Sequence, residues 1–498
     1  MPAIALPARP RLRRPRLPAG GVLRTELLSG LVVALALIPE AISFSIIAGV
    51  DPRVGLYASF TMAVTIAIAG GRPAMISAAT GAMALVVVSL VEQHGVEYLL
   101  AAGILAGIFQ VVLGALGVAK LMRFVPRSVM TGFVNALAIL IFLAQVPHLT
   151  DGGLAGWLLV AAGLAIILLV PRATRAVPAP LVAIVVLTVV VVAFGLDVND
   201  VGDEGELPSA LPVLGLPSVP FELETLRIVA PYALTLAAVG LLESLMTAKL
   251  VDDITETRSN KDREARGQGI ANVVTGFFGG MPGCAMIGQT MINVRAGGAR
   301  TRLSTFCAGL FLLILVVGLG DVVATIPMGA LVAVMILVSI STFDWHSVAP
   351  ATLRRLPRGE TVVMLLTVAG TVATHNLAIG VALGVLASMV LFARRAARLV
   401  AVERVVDPDG TTAIYSVSGE LFFASDQDLI DAFQYADDPA RIVIDLSRAH
   451  LWDSSAVAAL DAVEGHYARH GATVEITGLD RGSEQLRRDL SGQLAGVE

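Results

Sequence analysis

The chain is poor in charged residues and in cysteines, and it lacks nucleotide-binding motifs. Charged residues make up 15% of its 498 residues and hydrophobic residues 56%, whereas about 25% of an average soluble domain is charged. This composition argues against a soluble globular protein and predicts that most of the chain lies in a membrane. The two cysteines, Cys284 and Cys307, lie inside apolar segments, so neither a disulfide framework nor a metal site is expected. The chain has no Walker motif and no nucleotide fingerprint, so primary ATP-driven transport is disfavoured. No cofactor is expected.

Apolar segments long enough to span a membrane recur along most of the chain, until the sequence becomes charged and mixed after Val402. We predict a basic cytoplasmic N-terminal arm at 1–24, a transmembrane domain at 25–399 and a separate domain at 402–498. The arm carries arginines among prolines and has no cleavable signal. The fourteen predicted spans are 26–48, 53–70, 77–91, 98–118, 127–146, 154–170, 179–196, 228–249, 267–281, 284–294, 303–319, 322–341, 360–374 and 377–393.

Positive charges follow a pattern along the loops. Lysines and arginines concentrate in every second loop, with Arg53 as the main exception, and the long loop 197–226 is acidic. The positive-inside rule therefore predicts that both termini are cytoplasmic, in a multi-pass protein of the cell inner membrane. An even number of spans follows, and with seven in each half the two halves are inverted relative to one another.

Two carboxylates, Glu40 and Glu243, lie in otherwise apolar spans. A charged group at membrane depth is costly and usually faces a bundle interior or a water-filled cavity. Each glutamate is followed at a similar offset by a glycine–proline break, at 70–73 and at 279–282. The pattern indicates one structural unit used twice, with a carboxylate and a broken helix in each copy, as in many secondary transporters.

The segments after the two breaks, 76–82 and 283–289, are short and rich in small residues. Each fits a half-helix that begins near the midplane from extended backbone, whose unpaired N–H groups and positive dipole end favour an anion. Two such ends facing each other predict an anion site built without lysine or arginine. The alternative is that the small residues only allow helices to pack closely.

Four stretches of sequence carry a family resemblance. They are IPEAISF at 38–44, GVDPRVGLY at 49–57, GQGIAN at 267–272 and GFFGGMP at 276–282. In them the chain resembles the sulfate permease (SulP) family of anion transporters. The resemblance implies an all-α polytopic membrane domain of fourteen segments in two inverted sevens, with a core and a gate. It also implies a substrate held between the half-helices of the third and tenth segments.

The resemblance further implies roles for single residues. Glu40 matches a position associated with proton coupling, and Glu243 is either a second protonatable group or, with Thr247, part of a cation site. Gln289 stands where animal relatives carry an arginine, so the pocket lacks a fixed cation. The expected substrate-binding residues are Phe44, Thr80, Gly81, Ala285, Met286, Ile287 and Gln289.

The C-terminal region resembles a STAS domain, which is a small cytoplasmic α/β module. The matching stretches are YSVSGELFF at 415–423, IVIDL at 442–446 and DSSAV at 453–457. By analogy with soluble anti-sigma-factor antagonists, Ser454 is a candidate phosphorylation or partner site. The alternative is that Asp453 only caps a helix.

Together these observations predict a secondary active anion transporter rather than an enzyme. The leading interpretation is proton-coupled symport of a small oxyanion or dicarboxylate of the sulfate, bicarbonate or fumarate class. The alternatives are sodium-coupled bicarbonate symport, an anion channel, and a membrane signalling protein with the STAS domain as output. The expected partners are a small anion, H⁺ or Na⁺ as the coupling ion, membrane lipid and a second copy in a homodimer, and no nucleic acid.

Overall fold

The structure is a computed structural model that describes residues 20–120, 125–151, 153–173, 179–397 and 400–492. The predicted N-terminal arm therefore lies almost entirely outside the described residues. The chain divides into two compact units between Gly384 and Val385. This boundary falls within the last apolar helix, Leu377–Ala397. The first unit holds the other apolar segments, and the second holds a four-stranded sheet with helices.

In the first half of the apolar region, a helix or a strand with a helix occupies each of the seven predicted segments. The elements are α1 (Gly20–Ile47), α2 (Pro52–Ala69), β1 (Ser77–Ala79), α3 (Gly81–His94), α4 (Val96–Ala115), α5 (Arg127–Leu143), the short α6 (Val146–Asp151), α7 (Gly153–Ala173) and α8 (Ala179–Phe194). Strand β1 and helix α3 together form the third segment, so the predicted half-helix is present.

The second half repeats this order. The elements are α9 (Leu223–Thr255), α10 (Lys261–Phe277), β2 (Gly283–Ala285), α11 (Ile287–Met291), α12 (Arg302–Gly318), α13 (Gly320–Ala324), α14 (Met328–Thr342), α15 (Pro350–Arg355), α16 (Arg358–Thr374) and α17 (Leu377–Ala397). A π-helical turn, Ile292–Ala296, continues α11. Of the described helices, seven are long and apolar enough to cross a membrane, and four more are apolar but shorter.

Each half of the apolar region packs against the other half, and the most extensive of these contacts have a counterpart in which the two halves exchange roles. A twofold symmetry between the repeats explains this pattern. The second segment of each half packs on the fourth of the other, because α2 contacts α12 and α10 contacts α4. In the same way α1 contacts α12 while α9 contacts α4, and α5 contacts α16 while α14 contacts α7. Strands β1 and β2 pair antiparallel. The predicted fold of two inverted repeats with half-helices is confirmed.

Glycines allow the backbones of α4 and α10 to approach each other closely. A Cβ on Gly107 would lie 2.5 Å from the Gly269 carbonyl oxygen, and a Cβ on Gly269 would lie 2.5 Å from that of Gly107. Across the same interface Asn272 Nδ2 donates to Gln110 Oε1 at 2.9 Å. Small residues and interhelical hydrogen bonds are how helices associate where apolar burial alone gives no driving force.

The second unit contains a mixed sheet of four strands and three helices. The elements are β3 (Ala401–Val406), β4 (Thr412–Leu421), α18 (Asp426–Asp431), β5 (Arg441–Leu451), α19 (Ser454–Arg469), β6 (Thr473–Thr477) and α20 (Arg481–Leu490). The strand order in the sheet is β3-β4-β5-β6. Strands β3 and β4 are antiparallel, whereas β4–β5 and β5–β6 are parallel. Alternate residues of β4 and β5 point into a core shared with α19, because side chains alternate between the faces of a strand.

A carboxylate in this unit is held by three side chains. Asp438, whose side chain is fully buried, accepts hydrogen bonds from the hydroxyls of Tyr415 and Tyr467. Arg404 pairs with its other oxygen at 2.7 Å. Because both tyrosines are completely buried in the core, the carboxylate ties the edge strand β3 to the centre of the domain.

Asp438→Ala is expected to destabilise this unit by roughly 3 kcal/mol, because it leaves two buried hydroxyls and a guanidinium without their acceptor. The measurement is urea unfolding of the full chain, followed by the fluorescence of Trp452 in a Trp157→Phe, Trp345→Phe background. Glu403→Ala is the matched control, since Glu403 forms only an exposed pair with Arg448 at 3.9 Å and should change stability by less than about 0.5 kcal/mol. Equal unfolding midpoints for the two variants would contradict the assignment.

Candidate functional site

The pairing of β1 with β2 forms the centre of the site. Ala78 lies opposite Cys284, and Ser77 lies opposite Ala285. Asn272 fixes β2 from the side: its Nδ2 donates to the Gly283 carbonyl at 3.0 Å, and its Oδ1 accepts from the Gly283 amide at 2.8 Å. The two half-helices therefore start from a rigid, fully buried crossing.

Helix α3 begins beside this crossing. Thr80 is its N-cap, and the hydroxyl oxygen accepts from the amide of Met83 at 3.4 Å. The amides of Gly81 and Ala82 have no partner in the described part of the chain, as is usual for a first helical turn. Phe44 of α1 packs on this turn so closely that a Cβ on Gly81 would lie 2.9 Å from its ring. Phe44, Thr80 and Gly81, three of the expected substrate-binding residues, therefore lie together.

Glu40 lies one turn before Phe44 on the same face of α1. It is half-buried, and its Oε1 accepts a hydrogen bond of 2.7 Å from Gln289 Nε2 on α11. Gln289 is 2% exposed, and its own Oε1 has no partner among the described residues. One face of α1 thus contacts the first turns of both half-helices, through Phe44 on α3 and through Glu40 on α11.

Glu243 of α9 approaches the crossing from the other side. It is 7% exposed, and its Oε2 accepts from the Cys284 thiol at 2.9 Å. The Cys284 sulfur lies 3.2 Å from the hydroxyl of Thr80. Next to Glu243, the Ser244 hydroxyl accepts from the amide of Ala285 at 3.1 Å. A continuous chain of hydrogen bonds therefore links Glu243 to the cap of α3.

Thr247 does not reach the carboxylate of Glu243. Its hydroxyl donates to the backbone carbonyl of Glu243 at 2.8 Å, a bond within the same helix. The described residues contain no group of three or more histidine, cysteine and acidic side chains that could hold a metal ion. The Thr247 oxygen keeps lone pairs that are available to a cation, so the cation site suggested for Glu243 and Thr247 stays a prediction.

The remaining predicted residues fall in two places. Ala285, Met286 and Ile287 form the end of β2 and the start of α11, where the Met286 amide donates to the Ile76 carbonyl at 2.9 Å. Ser454 is exposed at the start of α19 in the second unit. Asp453 caps that helix by accepting from the amide of Ala456 at 3.1 Å. The capping role of Asp453 is therefore present, and phosphorylation of Ser454 stays a prediction.

The sequence did not point to Cys284, Asn272 or Ser244 as members of the site. A free cysteine in an apolar segment is expected to pack as a small hydrophobic residue, because most buried cysteines behave in this way. The available signal was the position of Cys284 in the extended stretch after the second break, where a side chain must face one of the two neighbouring segments.

A cavity of about 790 Å³ lies along α3, beyond the first turn of the helix that forms part of this site. Leu85, one turn beyond Gly81, lines it together with Ile46 of α1. Ser89 and Tyr232, whose hydroxyls lie 3.1 Å apart, add polar groups to its wall. The cavity can hold water next to the helix whose first turn forms the site.

Comparison with known protein families shows which family the chain belongs to. The model of the Sulfate permease family matches residues 23–155 and 152–367. The chain belongs to this family. A model of the STAS domain matches residues 403–491. Both resemblances drawn from the sequence are confirmed, and the chain is a multi-pass membrane protein from a family of transporters rather than of enzymes.

Relatives within the family align along most of the chain. The putative sulfate transporter YbaR of Bacillus subtilis (strain 168) is 54% identical over 471 residues, which cover 95% of this chain and 98% of that protein. The bicarbonate transporter BicA of Picosynechococcus sp. is 26% identical, with 89% of this chain and 86% of BicA covered.

Solved structures agree with the architecture. The murine Slc26a9 anion transporter in its inward-facing state superposes with a TM-score of 0.81, covering 95% of this chain and 88% of that one at 16% identity. This match concerns the fold alone. The transmembrane domain of a cyanobacterial BicA superposes with a TM-score of 0.63 at 26% identity, covering 74% of this chain and 98% of that one.

Proposed function

We propose that this sulfate permease family member is a secondary active anion transporter that carries a proton together with a small oxyanion or dicarboxylate. The supporting observation is the environment of its two carboxylates. Glu40 and Glu243 each accept a hydrogen bond from an uncharged side chain, Gln289 or Cys284. In the described part of the chain no lysine or arginine pairs with either of them.

An unpaired buried carboxylate is costly, with an effective penalty of several kcal/mol per ion. An anion that enters beside the first turns of α3 and α11 adds repulsion to this cost, since like charges a few ångströms apart repel strongly in a medium of low dielectric constant. Uptake of a proton by one carboxylate removes the repulsion. Proton and anion therefore favour each other's binding, which is the thermodynamic requirement for symport.

Sodium coupling is the second candidate, and its support comes from the relatives named bicarbonate transporters. In such a mechanism Na⁺ would neutralise Glu243 instead of a proton. The proton is favoured because the side chain that contacts the Glu243 carboxylate is the Cys284 thiol, and sulfur is a soft ligand that does not suit a hard cation such as Na⁺. Sulfate, bicarbonate and fumarate remain the candidate substrates, and YbaR favours the first by its name.

The choice of coupling ion is tested by uptake of labelled sulfate, bicarbonate and fumarate into proteoliposomes, with and without an inward proton gradient and with sodium replaced by choline. We expect gradient-driven uptake that does not need sodium, strongly reduced in Glu243→Gln and partly retained in Glu243→Asp. Glu224→Gln, which changes an exposed carboxylate in the first turn of the same helix, is the control and should transport normally. Uptake that collapses in choline, and that is no longer sensitive to sodium in Glu243→Gln, would assign the protein to sodium-coupled transport.

The finer assignments of location and assembly belong to the same proposal. The alternation of basic loops supports cytoplasmic termini and a cytoplasmic STAS domain in the inner membrane. We also propose a homodimer, which cross-linking of the purified protein in membranes tests directly. A monomer at all protein concentrations would contradict this part without affecting the coupling mechanism.

A further inference from the structure

The hydrogen-bond chain from Glu243 through Cys284 to Thr80 can exist in two directions. A thiol and a hydroxyl each donate one hydrogen and can accept others. When Glu243 is charged it can only accept, so the Cys284 thiol must donate to it across 2.9 Å. The Thr80 hydroxyl then donates to the sulfur across 3.2 Å, and its oxygen accepts from the Met83 amide. In this direction the Thr80 hydroxyl donates its only hydrogen to the Cys284 sulfur, so it has none left to donate to an anion.

Protonation of Glu243 reverses the chain. One proton is added at Oε2, and this new O–H donates to the Cys284 sulfur. The thiol hydrogen turns from Glu243 to the Thr80 oxygen, without any other covalent bond forming or breaking. The Thr80 oxygen now accepts from both Cys284 and Met83, so its own hydrogen is free. This hydrogen lies at the N-cap of α3, beside the unpaired amides of Gly81 and Ala82, and can be donated to a ligand there.

We propose that Cys284 is a positioning residue that releases the Thr80 hydroxyl hydrogen to the transported anion when Glu243 takes up a proton. This inference rests on the proton-coupled function proposed above and deepens it. With Glu243 charged, the first turn of α3 offers two amides to the anion, and with Glu243 protonated it offers two amides and a hydroxyl. The anion therefore binds more tightly to the protonated form, although neither Glu243 nor Cys284 touches it.

No other charged side chain contacts Glu243 in the described residues. Of the neighbouring elements α3, α4, α10 and β2, only β2 places a titratable side chain, Cys284, in contact with Glu243, since the charged groups of the others lie near helix ends. Glu40 on α1 is bonded to Gln289 and not to Glu243. The remaining titratable groups of α9 and of the elements packed on it are Glu224, Arg227, Tyr232, Lys249, Asp252, Asp253, Glu92, His94, Glu97, Tyr98, those of 261–266 and Arg295.

The test is the apparent KM for labelled sulfate, with bicarbonate and fumarate in parallel, in proteoliposomes between pH 5.5 and 8. For the wild type we expect KM to rise with pH, by at most about tenfold per pH unit for one coupled proton. Cys284→Ala frees the Thr80 hydroxyl at every pH, so its KM at pH 8 should be several-fold lower than that of the wild type and equal to it at pH 5.5. Cys284→Ser keeps both directions of the chain and should follow the wild type.

A gain of affinity at high pH distinguishes this role from a structural one, because a damaged site loses affinity. Cys307→Ser, a change at the other buried cysteine, is the control and should leave KM unchanged at every pH. If Cys284→Ala fails to fold, Thr80→Val and Thr80→Ser replace it. The valine variant should bind more weakly than the wild type at pH 5.5 and should show a smaller change of KM with pH. The serine variant should retain the full pH dependence.

The two levels of the proposal fail differently. A wild-type KM that does not change with pH would overturn both the relay and the proton coupling. A wild-type KM that rises with pH, with Cys284→Ala as weak as or weaker than the wild type at pH 8, would overturn the relay alone. A Thr80→Val variant that binds the anion as tightly as the wild type at pH 5.5 would also overturn the relay alone.

Discussion

Glu40→Gln is expected to lower uphill accumulation of the anion sharply while leaving downhill exchange in place. The amide can still accept from Gln289 Nε2, which now donates to Glu40 at 2.7 Å, so the contact between α1 and α11 survives. It cannot gain or lose a proton. A proton gradient of one pH unit supports about tenfold accumulation for each proton carried. The variant keeps Glu243 as a protonatable carboxylate and should lose the accumulation that the Glu40 proton supports, about tenfold. The measurement is the steady-state ratio of labelled anion inside and outside proteoliposomes with an imposed pH gradient.

Glu26→Gln is the matched control, since Glu26 is another buried carboxylate on the same helix. Its oxygens accept from the amides of Arg300, Thr301 and Ser304 at the start of α12, where it serves as a cap. We expect this variant to lose some thermal stability and to keep full accumulation. A Glu40→Gln protein that accumulates anion like the wild type would remove Glu40 from the coupling mechanism.

Gly283→Ala is expected to prevent folding, or to destabilise the protein by roughly 4 kcal/mol or more. A Cβ at this position would lie 2.3 Å from the carbonyl oxygen of Ala78 and 3.1 Å from Met62. The backbone cannot move away, because Asn272 holds both the amide and the carbonyl of Gly283. Yield of monodisperse protein in size-exclusion chromatography and the melting temperature measure the effect.

Gly156→Ala provides the comparison for this change. A Cβ on Gly156 of α7 would meet no atom within 4 Å, and alanine is the better helix former by up to about 1 kcal/mol. This variant should fold at least as well as the wild type. Equal melting temperatures for Gly283→Ala and the wild type would show that β1 and β2 are not packed as closely as the structure has them.

The sequence was sufficient to locate the two carboxylates and the broken segments. Glutamate in an apolar span and a glycine–proline break are local signals, and they led to Glu40, Glu243 and the half-helices. The fold followed because loop charge and span number together imply two inverted sevens. Helix α10 begins earlier than predicted, at Lys261, because Asn260 caps it and because polar side chains within it, such as Asn272, find partners across the interface with α4.

Contacts between distant parts of the chain could not be predicted in the same way. The bond between Glu40 and Gln289 joins residues 249 positions apart, and its existence depends on how α1 and α11 meet in three dimensions. The thiol of Cys284 has no polar signature in the sequence, yet it lies between a carboxylate and a hydroxyl. The family resemblance pairs Thr247 with Glu243 in a possible cation site, but it could not show that the Thr247 hydroxyl donates to the backbone carbonyl of Glu243, because a hydroxyl turns toward its nearest acceptor.

The pairing of β1 with β2 also bears on how the protein is made. Thr80 and Cys284 are separated by 204 positions, so at about 5–20 residues per second the ribosome completes β1 roughly 10 to 40 s before its partner strand. Throughout that interval the first repeat has neither the strand that pairs with β1 nor α10, the helix that packs on α4. The nascent first half thus remains an open assembly intermediate, and the transport site cannot form until the second repeat is being synthesised.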